Sequence, residues 1–410
     1  MSDKQLRIAM LSVHSCPVGK LGAKDTGGMS VYVRELAREL GKRGHQVDVY
    51  TRAHDSQHET IMELGENARL IHLKAGEDEP IHKLAVYLHL PDFTCQLENF
   101  RKQNKLQYDL VYSHYWLSAW VGKFLQGWWD VPHMTMFHTL GAVKNAIGID
   151  EDEPELRIET ERYLVKSCHR IIAATEKEKE DIIRYYGASP DMISVIPCGV
   201  NLDLFRPIDK DIARQQLGFS NGKTILFVGR IEPLKGIDKL LMSMSYLKNK
   251  EGLRLVVIGG DGNSHYDMER LQVLSRELCI QDSVIWLGLV GQEELPRFYS
   301  AADVCVVPSY YESFGLVALE SLACGTPVVA TKVGGTESVI RQGETGYVVA
   351  DNAPRHMAQK IGFLLSQPKI SVESTQAMRE SVAGFSWTNI AEAVGKECGL
   401  VLAGYSVQEC

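Results

Sequence analysis

Apolar and polar positions follow two rhythms along this chain, and the switches between them mark its elements. Arg7-Ile-Ala-Met-Leu-Ser-Val13 is a short, nearly continuous apolar run, the pattern of a strand buried on both faces. A loop carrying Gly19, Gly22, Gly27 and Gly28 follows, after which Val33, Leu36, Ala37 and Leu40 recur at helical spacing while Arg34, Glu35, Arg38 and Glu39 take the opposite face. A helix therefore starts close to the double glycine, and Gly44 fits its stop. Val47-Asp-Val-Tyr-Thr51 reads as a second strand, which completes a βαβ unit.

Further strands are expected at Leu110-Val-Tyr112, His133-Met-Thr-Met-Phe137, Arg170-Ile-Ile-Ala173 and Ile193-Ser-Val-Ile196, with helical stretches between them. Pro197-Cys-Gly-Val-Asn201 and Arg206-Pro207 interrupt the pattern and mark a hinge. A new strand opens at Thr224-Ile-Leu-Phe-Val228, again followed by a glycine and a helix, and strands near 255–258, 284–287, 304–307, 328–330 and 347–349 alternate with helices after it. The same α/β pattern occurs twice, so the economical reading is two facing Rossmann-like domains, residues 1–200 and 201–387, each a doubly wound parallel sheet. Ligands of such sheets sit beyond the carboxyl ends of the strands, which makes an interdomain cleft the expected site. Trp116, Trp120 and Phe124 fall at i, i+4 and i+8, read here as a helix face packed on the sheet rather than a membrane-docking face.

Composition narrows the function classes. A chain of 410 residues suits two domains, and 45% apolar with 23% charged residues excludes long disorder. With 44 Lys and Arg against 52 Asp and Glu, a formal charge of -8 and no long basic run, a nucleic-acid partner has little electrostatic footing. No window approaches 18 consecutive apolar residues, so no membrane span is expected, and the apolar stretch from Ile8 begins too late and is too brief for a signal-peptide core. The nine cysteines are scattered and never arranged as CxxC, which reads as a reduced, cytoplasmic chain without a zinc site and without a catalytic thiol.

Between Gly315 and Gly325 only Glu320 is charged. An ionised carboxylate on so apolar a helix costs about 2–7 kcal/mol or more unless something pairs with it. A salt bridge would satisfy it; so would vicinal ribose hydroxyls, which donate two hydrogen bonds to one carboxylate. Glu312, eight positions earlier, precedes the helix and is placed to reach a different part of the same ligand. Phe314, Gly315 and Leu316 open the helix, where unpaired N–H groups and the positive dipole end suit a phosphate. The first strand–helix turn of this half, Val228-Gly-Arg-Ile-Glu-Pro-Leu-Lys-Gly236, adds Arg230 and Lys235; each alone reads as a solvated charge, and the two motifs together as a diphosphate site. In the first half, Gly27 and Gly28 allow close backbone approach to a ligand, though ordinary tight turns use glycine as well. His138 lies just past a strand end, a place for a site residue or for a structural hydrogen-bonder. Lys144 and Arg157 flank the acidic Asp150-Glu-Asp-Glu-Pro-Glu155, for which a surface ion-pair network is the plain alternative.

The glutamate pair with seven residues between, following a Gly-Arg…Lys-Gly turn, resembles the family-4 retaining glycosyltransferases of the GT-B fold, and the resemblance covers nearly the whole chain. It implies that Glu320 holds the donor ribose, that Arg230 and Lys235 hold the diphosphate, and that Phe314, Gly315 and Leu316 donate backbone hydrogen bonds. It further implies that Glu312 faces the transferred sugar, that Val290 lies near the base, and that Gly28 and His138 sit beside the donor. In this fold Phe385-Ser-Trp-Thr-Asn-Ile390 precedes a helix, here 388–410, that crosses back to the first domain. Gly27-Gly-Met-Ser-Val-Tyr-Val33, Ser113-His-Tyr-Trp-Leu-Ser118 and Phe137-His-Thr-Leu-Gly-Ala-Val-Lys-Asn145 resemble the inositol-phosphate N-acetylglucosaminyltransferases of mycothiol synthesis, with sucrose-phosphate synthases as relatives. Both use phosphorylated acceptors. The acceptor residues of the former map onto Lys83, Tyr115, Thr139 and Arg157, with Lys144 close by, whereas Ser30 replaces the usual asparagine of Gly-Gly-Met-Asn and leaves the acceptor's identity open. The implied reaction is metal-independent, cofactor-free, retaining transfer of a hexose-type sugar from UDP-N-acetylglucosamine or UDP-glucose to a phosphorylated polyol or sugar, foremost 1D-myo-inositol 3-phosphate. A homodimer is left open. A nucleotide-sugar epimerase and a non-catalytic nucleotide-sugar sensor are the alternatives from other classes.

Overall fold

The computed structural model describes residues 5–19, 26–55, 59–77, 79, 81–149, 152–219, 222–248, 251–260, 265–368 and 371–408; Gly22, Asp150, Glu151 and Cys410 lie outside them. The first sheet contains β1 (Arg7–Leu11), β2 (Gln46–Arg52), β3 (Ile61–Gly65), β4 (Ala68–Leu73), β5 (Leu110–His114), β6 (His133–Met136), β7 (Arg170–Ala173) and β8 (Ile193–Val195). Their spatial order is β3-β4-β2-β1-β5-β6-β7-β8, parallel throughout except for β3 against β4. The second sheet holds β9 (Thr224–Val228), β10 (Arg254–Ile258), β11 (Val284–Gly288), β12 (Val304–Val307), β13 (Val328–Thr331) and β14 (Gly346–Val349) in the order β11-β10-β9-β12-β13-β14, all parallel. In both sheets the strand order reverses about the first strand, the place where doubly wound sheets open a crevice.

Every strand expected from the apolar runs is present, with ends shifted by a residue or two. The hairpin β3-β4 was not anticipated. Its outer strand reads Ile61-Met-Glu-Leu-Gly65 with Leu64 alone buried, as befits an exposed edge, and the turn is carried by Asn67 at φ 54.

The aromatic stripe corrects another expectation. On the helix Trp116–Trp129, Trp116 is fully buried and stacks on Tyr87, but Phe124 is 43% exposed. Four residues advance about 400° around a helix, so each step drifts about 40° and the third aromatic leaves the inward face. Among the described residues no helix is long and apolar enough to cross a membrane.

One apolar core joins the two sheets: it runs from beneath the helix Gly28–Lys42 through Val200 and Phe205 into the layer formed by Ala318, Leu319 and Leu322. The chain crosses between the sheets twice, and the crossings lie side by side, with the Val200 N–H donating to the Phe385 carbonyl at 2.8 Å. Arg379 ties the first crossing to the second sheet's layer, donating to the carbonyls of Leu202, Phe205 and Ala323 at 2.7, 2.6 and 3.1 Å. After the second crossing, the helix Trp387–Gln408 lies against the helix Gly28–Lys42. Trp387 meets Tyr32 edge-on, Arg43 pairs with Glu392 at 3.0 Å, and Arg170 of β7 pairs with Glu397 at 2.8 Å.

Candidate active site

The two glycine-marked turns face one another. A Cβ placed on Gly27 would lie 3.6 Å from Arg230 Nε, and one on Gly28 would lie 3.3 Å from Leu316 Cδ1. The opening of the helix Gly28–Lys42 thus meets both the β9 turn and the opening of the helix Leu316–Ala323 at the carboxyl ends of the two sheets. Close by, Arg34 donates to the Gln292 side chain across the cleft, and Val18, Gly19, Arg34, Glu35, Gly291 and Gln292 line a concavity of about 400 Å³.

On the C-terminal wall, the segment after β12 is held by a buttress that the sequence reading passed over. Lys332-Val-Gly-Gly335 runs directly beneath it: the Gly335 N–H donates to the Phe314 carbonyl at 2.7 Å, and a Cβ on Gly334, at φ +52, would sit 2.6 Å from the Glu312 carbonyl oxygen. So supported, Gly315 caps the helix at φ +109, and Phe314 is buried against Phe385. The first helical turn, from Leu316, leaves N–H groups without intrahelical acceptors, which together with the helix dipole favours an anion there. Arg230 pairs with Glu232 at 2.9 Å. Lys235 donates to Glu312 Oε1 at 2.7 Å, and Ser309 donates to the same oxygen at 2.8 Å. Lysine and glutamate, read from sequence as contacts to different parts of a ligand, are partners of each other.

Glu320 is 8% exposed and accepts a hydrogen bond from the Tyr299 hydroxyl at 2.7 Å. Burial raises its carboxyl to about 7, against the opposing hydrogen bonds from Tyr299 and Gln292. Among the described residues no cation pairs with it, so the salt-bridge explanation of this charge is set aside. Val290, half-buried, packs near the same core.

On the N-terminal wall two residues just past strand ends adopt left-handed backbone: Tyr115 at φ 77 after β5, and His138 at φ 61 after β6. Such conformations cost of order 1–3 kcal/mol for a bulky residue and persist where the surroundings over-determine them, commonly at ligand sites. His138 Nε2 is 3.0 Å from His114 Nδ1, and Tyr32 packs edge-on to the His138 ring. Burial lowers His138 to about 3, so it is neutral at physiological pH. Ser30 has no exposed surface and shares an Oγ–Oγ hydrogen bond of 2.7 Å with Ser15; contact with an acceptor would require that bond to be shared or surrendered.

Lys83, Lys144 and Arg157 converge on a residue given no role in advance, and Tyr115 and Thr139 join the cluster through Arg157. Glu153 Oε1 accepts hydrogen bonds from Lys83 Nζ at 3.3 Å and from Lys144 Nζ, and forms an ion pair with Arg157 Nη1 at 2.9 Å. Arg157, 1% exposed, also pairs with Glu161 at 2.7 Å, donates to the Thr139 carbonyl and hydroxyl at 2.8 and 3.0 Å, and lies 4.8 Å over the Tyr115 ring. The ion-pair network foreseen at the acidic segment therefore exists, but it is buried rather than on the surface. Glu153 stands in an acidic run and precedes the helix Glu155–Ser167; its spacing of four from Arg157, repeated from Arg157 to Glu161, was the legible clue.

Tyr311 ties the walls together. It precedes Glu312 on the second domain yet packs with the N-terminal core. Among the described residues no group of three or more His, Cys, Asp or Glu side chains is arranged to hold a metal ion.

Comparisons with known proteins agree with this architecture. Residues 26–204 match the family model for Glycosyltransferase Family 4, and residues 209–382 match that for Glycosyl transferases group 1. The chain is 39% identical over 400 residues to a D-inositol 3-phosphate glycosyltransferase of Acidothermus cellulolyticus, covering 95% of this chain and 89% of that one. It is 35% identical over 395 residues to the enzyme of the same name from Corynebacterium glutamicum, covering 94% of each. Among solved structures, a sucrose-phosphate synthase from Thermosynechococcus elongatus superposes with a TM-score of 0.90 at 32% identity, over 98% of this chain and all of that one. HepE of Anabaena, solved with UDP and glucose, superposes with a TM-score of 0.75 at 18% identity over 96% of this chain and all of that one. With two facing parallel sheets, a cleft between their carboxyl ends and full-length likeness to these enzymes, the chain belongs to the family-4 glycosyltransferases of the GT-B fold.

Proposed function

We propose that the protein is a metal-independent, retaining hexosyltransferase that moves a sugar from UDP-N-acetylglucosamine or UDP-glucose to a phosphorylated polyol or sugar, foremost 1D-myo-inositol 3-phosphate. Residues 1–200 bind the acceptor, 201–387 bind the nucleotide sugar, and 388–410 cross back to the first domain. The observation that carries this reading is the meeting of Arg230 and the Gly315 helix opening with the Gly27-Gly28 turn, which gathers a cation, a helix end and close-approach glycines in one cleft.

In this reading Glu320 accepts hydrogen bonds from the donor ribose, Val290 borders the base, and Gly28 lets the sugar diphosphate approach the backbone. Arg230, Lys235 and the N–H groups at Phe314, Gly315 and Leu316 stabilise the departing diphosphate. When that anion arrives, Lys235 turns from Glu312 toward it, and Glu312 is released to hydrogen-bond the transferred sugar. The acceptor hydroxyl attacks from the same face as the leaving group, the anomeric carbon–oxygen bond to the β-phosphate breaks as the new glycosidic bond forms, and the β-phosphate oxygen takes the hydroxyl proton. Neutral His138 hydrogen-bonds the donor sugar. Lys83, Tyr115, Thr139, Lys144 and Arg157 hold the acceptor phosphate, with Ser30 at the margin of that site.

The names of the relatives support a phosphorylated acceptor or product from two directions, inositol phosphate and sucrose phosphate. The test is a matrix of both UDP-sugars against inositol 3-phosphate, a hexose phosphate and their unphosphorylated forms, read by mass spectrometry with and without EDTA. Glycosylated phosphate esters and stoichiometric UDP, undiminished by EDTA, are expected. Release of UDP without a glycosylated product, an epimerised donor, or magnesium-dependent turnover would overturn the assignment.

A further inference from the structure

Two buried carboxylates serve Arg157, and they are fastened differently. Glu161 accepts from Arg157 Nε, from the Gly141 N–H at 2.9 Å and from the Tyr186 hydroxyl at 2.5 Å, so its side chain is held by fixed neutral donors as well as by charge. Glu153 is different. Its main chain is clamped by Asn145, which donates to the Glu153 carbonyl at 3.0 Å and accepts from the Glu153 N–H at 2.7 Å. The contacts of its carboxylate, by contrast, are to Lys83, Lys144 and Arg157, and all three meet the same oxygen. The side chain can therefore rotate away without disturbing the backbone that carries it.

Those cations come from three separate helices, Lys83–Val86, Gly141–Ile147 and Glu155–Ser167, and meet at one carboxylate oxygen. Three cations gathered about one carboxylate oxygen supply the charge and the N–H groups that a phosphate's oxygens also accept. Burial works against ionisation of Glu153, but Arg157, Lys83 and Lys144 reverse it and hold the carboxyl at about 2, so it is an anion throughout the physiological range. The Lys83 side chain, 28% exposed, marks the open side of an otherwise closed cluster.

From this asymmetry, and resting on the phosphorylated-acceptor reading above, we infer that Glu153 is a resident stand-in for the acceptor's phosphate. Its carboxylate keeps Lys83, Lys144 and Arg157 gathered and neutralised until the acceptor binds, and a phosphate dianion displaces it. The exchange sets a charge threshold. A dianion replaces one negative charge by two and gains on every cation, whereas a monoanion offers no more than the tethered carboxylate already supplies. Glu153 thereby makes the site selective for phosphate monoesters over phosphodiesters and carboxylates.

The test uses the full-length protein, calorimetry near pH 8, and two probes: methyl phosphate, a dianion, and dimethyl phosphate, a monoanion. Wild type is expected to bind the first and not the second. Glu153→Gln keeps the shape, removes the competitor, and is expected to bind methyl phosphate about tenfold or more tightly and to acquire dimethyl phosphate binding, with UDP affinity within about twofold. Equal or weaker methyl phosphate binding by Glu153→Gln overturns the inference and makes Glu153 a structural brace, while the acceptor reading stands. Methyl phosphate bound by neither protein, together with equal turnover of phosphorylated and unphosphorylated acceptors, overturns the acceptor reading and this inference with it. Should the variant not fold, wild-type crystals soaked in methyl phosphate decide: the Glu153 carboxylate is expected to leave the three cations, and its retention there, with phosphate absent or bound elsewhere, refutes the displacement.

Discussion

Glu320→Gln separates what this carboxylate costs the fold from what it does for the ligand. Its carboxyl titrates at about 7 in the folded protein against an ordinary 4.5, chiefly because it is buried. A glutamate whose folded value is raised costs nothing where both states are protonated, below about pH 4.5, and its full amount once pH exceeds the folded value. The rise from 4.5 to about 7, at about 1.4 kcal/mol for each factor of ten in the proton equilibrium, places that amount at about 3–4 kcal/mol, lost progressively between about pH 4.5 and 7. Glutamine is neutral at every pH and still accepts from Tyr299. Urea denaturation at about pH 5 and pH 8 is therefore expected to show the variant gaining about 2–3 kcal/mol on wild type as pH rises. Function moves the other way. Glutamine cannot accept charge-assisted hydrogen bonds from two ribose hydroxyls, so UDP-sugar turnover is expected to fall about ten- to a hundredfold, equivalent to roughly 1.5–3 kcal/mol. A stability difference independent of pH would refute the burial argument, and UDP affinity within twofold of wild type would refute the ribose assignment.

Lys235→Ala removes the proposed donor to the diphosphate and leaves Glu312 with Ser309 as its other partner; turnover is expected to drop about ten- to a hundredfold at saturating acceptor, and a loss confined to the acceptor KM would contradict that role. Lys83→Ala is expected to raise the acceptor KM with little change in the donor KM, an effect that high salt mimics in wild type, whereas Arg157→Ala adds a stability loss of about 3–5 kcal/mol because Glu161 is left buried and uncompensated. Steady-state kinetics in both substrates, with a melting curve for each variant, distinguishes these outcomes from general unfolding. Gly334→Ala forces a Cβ to 2.6 Å from the Glu312 carbonyl at a positive φ, so the Glu312 to Phe314 segment must shift; donor affinity is expected to fall with the acceptor KM unchanged, and unaltered UDP binding in a calorimeter would show that the buttress does not position the donor site.

The sheet elements were legible because strands buried on both faces leave unbroken apolar runs, as Thr224–Val228 and Val304–Val307 do, and because Gly27-Gly28 and Gly44 bracket a helix whose apolar positions repeat at the helical period. Glu320 was legible for the opposite reason: a lone charge on an apolar helix contradicts its surroundings, and such a contradiction appears in the sequence without any knowledge of the fold. The edge hairpin β3-β4 was not, since a half-exposed strand such as Ile61–Gly65 buries too little to leave a periodic mark. Nor were the partners. That Tyr299 bonds Glu320, that Lys235 neutralises Glu312, that Gly334 lies under Glu312 and that Glu153 draws together three cations are contacts between residues as much as 77 positions apart. Sequence determines which side chains exist and the local rhythm that shapes each strand and helix; which of them meet is decided by the packing of two sheets and the chain crossings between them, because a contact between distant residues depends on the arrangement of everything between them and carries no local period to be read.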